Sequence, residues 1–213
     1  AIKGAEFTIV RVADVVTFTE SANDQHPDYN LTQVLYGFNK EASADLLAAI
    51  GLDNGTGRYE NADATDKLDS ANYYYTSDTL NKALSDAMAE NSTTVKNALE
   101  TYVASREDAI VMDKTNENGK TIERGLRTGL WLCVETAVPE MVTSTTPAFF
   151  ISLPSVTVTG NEHSSSPEGG HEWNYDVVVY PKQDTGIPTL TKEIRLILDA
   201  LFIRQFFGFF RSL

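Results

Sequence analysis

Lys182 closes the run Trp173-Asn-Tyr-Asp-Val-Val-Val-Tyr-Pro-Lys182, where a lysine can project its amine while its backbone stays anchored. An ordinary lysine has a pKa near 10.4, so about one amine in a few thousand is deprotonated at neutral pH. Reaction therefore needs desolvation, a base or close positioning against an electrophile. Tyr180 and Pro181 supply rigidity but no base. The structural alternative is a solvated charge, because lysine is seldom buried. Other reactive types point away from catalysis. Cys133 lies inside the apolar run Leu130-Trp-Leu-Cys-Val134, the setting of a buried structural thiol. His163 and His171 have no acid and cysteine spaced around them as a hydrolase would need. The expectation is a protein that is not an enzyme and takes no cofactor.

The element that presents Lys182 reads as a strand over residues 173–180. Trp173, Tyr175, Val177 and Val179 share one face, and Asn174, Asp176, Val178 and Tyr180 the other. Pro181 removes a backbone donor and fixes φ, so regular pairing should fail just before the lysine. Upstream, residues 6–13, 15–20, 31–38, 130–136 and 147–153 read as strands. Residues 109–114 and 121–123 flank Asn116-Glu-Asn-Gly119, a hairpin signal. A helix over 41–50 is closed by Gly51. Ser77 or Asp78 can cap a second helix reaching Ala89, and a third covers 93–105. Seven to nine strands with helices inserted suit an immunoglobulin-like sandwich in which the helices cover a sheet edge or core.

The 213 residues carry a net charge of −13. Residues 191–213 hold four cations against two carboxylates, so the first 190 residues carry −15. That excludes a nucleic-acid partner, which needs a basic footprint, and suits a solvated extracellular surface. A single cysteine rules out an intrachain disulfide. The acidic loop over 53–72 has no EF-hand spacing, and no metal is expected there.

The pattern Trp-x-x-x-Val-x-Val-Tyr-Pro-Lys, filled here by Trp173, Val177, Val179, Tyr180, Pro181 and Lys182, resembles the pilin motif in the N-terminal domain of Gram-positive, sortase-assembled major (backbone) pilins. Gly129-Leu-Trp-Leu-Cys-Val-Glu-Thr-Ala-Val-Pro139 resembles their E-box region, with Glu135 at the acidic position. Pro147 to Pro154 and Gly4 to Val12 resemble other strands of the family's Cna-B-type immunoglobulin-like sandwich. The resemblance implies a mainly β fold with helical insertions, in a structural subunit of a covalently polymerised pilus. It implies that Lys182 accepts the threonine of another subunit's sorting signal from a sortase, forming an isopeptide bond. The partners would be other pilin subunits, head to tail, a pilus-specific sortase and a host surface. The location would be a secreted, cell-wall-anchored pilus. Gln183 stands where members often have asparagine, which leaves the acceptor role intact. The alternative is an adhesin-type pilin domain that binds a host ligand. Glu135 is either an acid that assists isopeptide formation or assembly, or a strand residue paired with a nearby donor. Lys3 comes too late in the chain for the usual internal crosslink, and none is expected.

The pilin N-terminal domain is expected over 1–190, and 191–213 as a linker and the start of a next domain or a non-native hydrophobic tail. Residues 194–213 include thirteen apolar positions, among them Phe202, Phe206, Phe207, Phe209 and Phe210. Arg195, Asp199, Arg204 and Arg211 interrupt them too often for a comfortable transmembrane helix.

Overall fold

The computed structural model describes residues 2–20, 31–61, 68–139, 142, 146–158, 171–181 and 193–197. The alternation in Phe7-Thr-Ile-Val-Arg-Val12 and Leu130-Trp-Leu-Cys-Val134 has apolar residues at both parities, the mark of strands buried on two faces. These strands, β1 (Glu6–Glu20) and β6 (Gly129–Ala137), form the centre of the molecule. Around them an antiparallel sheet runs β3 (Asn72–Tyr75), β2 (Leu31–Asn39), β1, β6, β7 (Phe149–Leu153), with β4 (Ile110–Val111) also paired to β1. The expected strands 6–13 and 15–20 are one element. A register shift between Arg11 and Ala13 marks the join, where pairing passes from β6 to β2.

Helices cover one face of this sheet. Helix α1 (Ala44–Ala49) and α2 (Ser77–Ala104) place Leu46, Leu47, Leu80, Leu84, Leu99 and Val103 against Val10, Phe38, Leu132 and Val134. Each fully buried aliphatic side chain contributes roughly 1.5–3 kcal/mol. The two helices expected over 77–89 and 93–105 run together but break at Asn91, whose φ of −153° is not helical. Asn91 Oδ1 accepts the Thr94 N–H at 3.4 Å, starting the second segment. The N-cap differs from expectation: Thr76, not Ser77 or Asp78, is extended, and its Oγ1 accepts the Thr79 N–H at 3.3 Å.

The opposite face carries a second core of Phe7, Ile9, Met112, Trp131, Cys133, Ile151, Leu153 and Val179. Against it lies a three-stranded sheet ordered β10 (Asp176–Val179), β11 (Glu193–Ile197), β5 (Lys120–Arg124). A two-stranded pair, β8 (Ser155–Val158) with β9 (His171–Asn174), completes the strands. The fold is mainly β, a sandwich with helical insertions.

Two expectations fail locally. The turn at Asn116–Gly119 forms, with Gly119 N–H on Asn116 O at 2.8 Å. Its flanks do not pair with each other, because β4 joins β1 and β5 joins β11. The strand expected over 173–180 is broken at Tyr175. Asn174 Oδ1 accepts the Asp176 N–H at 2.8 Å, taking that donor in a local turn of the kind asparagine favours. Pairing then changes partner, from β8 to β11. No helix among the described residues is long and apolar enough to cross a membrane.

Candidate functional site

The candidate site is the end of β10. Val179 is 3% exposed and joins the core of Phe7, Ile9 and Trp131. Tyr175 and Val177 pack against the same cluster, half-buried. Burial also raises the Tyr175 hydroxyl above its ordinary pKa. On the other side of the strand Asp176 is exposed and Tyr180 is 50% exposed, while Val178 is half-buried. Trp173 is half-buried on β9, opposite Val156. The ladder stops at Val179, and Pro181 is buried immediately after it. The chain therefore leaves the sheet over an exposed tyrosine and a buried proline. Lys182 itself lies outside the described residues, as do Gln183 and His163.

Behind this strand end stands β6. Trp131, Cys133 and Glu135 share the parity that faces the second core. The Cys133 thiol is fully buried, and burial first, then the nearby Glu135 charge, push its pKa up. It is a structural thiol, since the nucleophile is the thiolate. Glu135 is 2% exposed, and its Oε2 accepts the Thr146 N–H at 2.6 Å. Sequence reasoning anticipated a nearby donor for Glu135 without naming it. Thr146 falls in a Ser/Thr-rich connection with no periodic signal, and only the path of the chain into β7 brings it there.

Elsewhere several charged groups are held by neighbours. Lys3 pairs with Glu117 at the surface. A cleft of about 620 Å³ is lined by Lys40, Arg58, Tyr59, Asp69, Tyr73 and Tyr74. Lys40 Nζ donates to Ser70 O at 2.7 Å and stands 4.9 Å from the Tyr73 ring centre. Arg58 pairs with Glu60, and Asp69 caps the Ala71 N–H. These contacts hold the described residues of the cleft to one another.

Residues 43–184 match the family model described as Gram-positive pilin subunit D1, N-terminal domain. The chain belongs to this family. The match takes in both helices, the buried acid Glu135, the whole of β10 and the position of Lys182. This pilin domain is accordingly a structural part of a cell-surface pilus, which assembles with other pilin subunits, and the family is structural rather than catalytic. No curated protein and no solved structure matches the chain.

Proposed function

We propose that Lys182 is the acceptor amine through which this pilin is joined covalently to the next subunit. A sortase would hold the neighbouring subunit's sorting-signal threonine as a thioester. The neutral Lys182 amine attacks the thioester carbonyl carbon. The C–N bond forms, the C–S bond breaks, the sortase thiolate leaves, and the extra amine proton passes to a base of the sortase. The product is an isopeptide bond between threonine and Lys182, and the domain is substrate rather than enzyme. The end of β10 carries this reading: Val179 and Pro181 are buried directly before Lys182, while Tyr180 is 50% exposed. An amine tethered so closely to a packed core loses little freedom when the acyl donor docks, which favours transfer. The acidic surface, −15 over the first 190 residues, fits the proposed place of the polymer outside the cell on the wall.

Mass spectrometry of proteolysed native polymer tests the assignment. The expected species is a branched peptide in which a threonine carboxyl is joined to Lys182 Nζ. A branch on any other lysine overturns it.

A further inference from the structure

Strand β11 is the only ladder partner, among the described residues, of both β10 and β5. It runs antiparallel to β10, with Val179 opposite Ile194 and Asp176 opposite Ile197, and parallel to β5, with Arg195 opposite Ile122. Val178, Arg195 and Ile122 thus form one row across the small sheet. The connection from β10 to β11, residues 180–192, contains Lys182. Paired Cα atoms in an antiparallel ladder lie about 4.5–5.5 Å apart, so the end of β10 at Val179 lies beside Ile194 of β11.

We infer that residues 193–197 are a positioning strand for the acceptor lysine: by bridging β10 and β5 they hold β10, which ends three residues before Lys182, in register. Val177 and Val179 anchor β10 through side-chain packing, and among the described residues β11 is its only ladder partner. Unpaired backbone groups beside a core are costly. Without β11, β10 would keep its apolar contacts and lose the ladder that fixes its direction. The composition of Glu193-Ile-Arg-Leu-Ile197 suits the place, with two β-branched residues in five. The role in positioning rests on Lys182 being the acceptor; the role in the sheet does not.

The test uses the full chain with Arg195→Pro, and Arg195→Thr as its control. Proline in a central strand removes a ladder donor; threonine keeps the donor and favours extended backbone. Hydrogen exchange of peptides covering 120–124 and 176–179 is the first readout. Both should be protected in the wild type and Arg195→Thr, and exchange roughly tenfold or more faster in Arg195→Pro, while the β1–β6 ladder stays protected. Unchanged protection of 176–179 in Arg195→Pro, or exposure of 120–124 in the wild type, overturns the inference. So does protection that fades on dilution, which would mean that a second copy supplies the strand. The second readout is transfer of a threonine-terminated acyl group onto Lys182 by a pilus-class sortase. Slower transfer to Arg195→Pro with normal transfer to Arg195→Thr supports positioning, and equal transfer to both overturns it. Absence of transfer to every form, with exchange as expected, sinks the acceptor reading and with it the positioning role, and leaves β11 as a bridge of the sheet.

Discussion

The Glu135 carboxylate accepts the Thr146 backbone N–H at 2.6 Å in the protein interior, tying the middle of the molecule to the lead-in of β7. The bond is charge-assisted when the carboxylate is ionised, and such bonds exceed neutral ones in strength. Glu135→Ala would leave the buried Thr146 N–H without this acceptor and open a space beside Cys133. The expected loss is roughly 1–3 kcal/mol, seen as a lower urea midpoint. Glu135→Gln keeps an acceptor oxygen and should lose less. Equal losses in the two variants would show that the charge, and not the hydrogen bond, is what matters.

Gly129 starts β6 with φ at +151°, a conformation that residues with side chains rarely adopt. A Cβ there would stand 2.8 Å from the Ala13 carbonyl oxygen and 2.4 Å from Arg11 Nε. The arginine can swing away, but the carbonyl belongs to β1 and cannot move alone. Gly129→Ala should destabilise by on the order of 1–3 kcal/mol through backbone strain and the clash with the Ala13 carbonyl together. Gly51→Ala is the comparison: its φ of +76° also strains an alanine, but its Cβ would meet nothing within 4 Å, so its loss should be the smaller in the same urea titration.

Alkaline pH should weaken the fold. Burial raises the Cys133 thiol above its ordinary value of 9.0. Burial likewise raises Tyr36 and Tyr102, and brings Tyr75 from 10.0 to about 12. Below pH 9 these groups keep their protons in both states and add no slope. Above it the unfolded chain loses protons first, so stability falls as pH rises towards the folded values. Tyr75 also donates its hydroxyl to the Leu52 carbonyl at 3.1 Å. Tyr75→Phe should cost about 1 kcal/mol at pH 7 and flatten the decline between pH 10 and 12. A denaturation series from pH 7 to 12 checks both parts.

Lys182→Arg keeps the positive charge but removes the nucleophile, since arginine does not give up its proton at accessible pH. The variant should unfold at the same urea concentration as the wild type and fail to enter high-molecular-weight polymer on gels run under denaturing conditions. Unchanged polymer ladders would exclude Lys182 as the acceptor.

Much of the fold was legible where periodicity is strong. The apolar runs around Phe7 and Trp131 announce strands buried on both faces, and the spacing of Leu80, Leu84, Val95 and Leu99 announces two helical segments with a break between them. The face that Val177 and Val179 share was legible for the same reason. The failures have local causes. Thr76 outcompetes Ser77 as the cap because it is the residue in extended conformation when the chain leaves β3. Asn174 breaks the motif strand through a side-chain bond that a period-2 pattern does not register. The arms beside Asn116–Gly119 find distant partners instead of each other, and the pairing of Glu193–Ile197 with β5 spans some seventy residues of sequence. Such long-range pairings are set by the surfaces left open once the core has formed, which no local window contains.

The fifteen residues of β1 pair with β6 along their first half and with β2 along their second. Ladder bonds lie across the strand axis. A tug applied along β1 would therefore strain many of them at once, in shear, rather than peel them one after another. In a filament whose links carry tension, that single strand is a girder, and the offset between Arg11 and Ala13 is its splice.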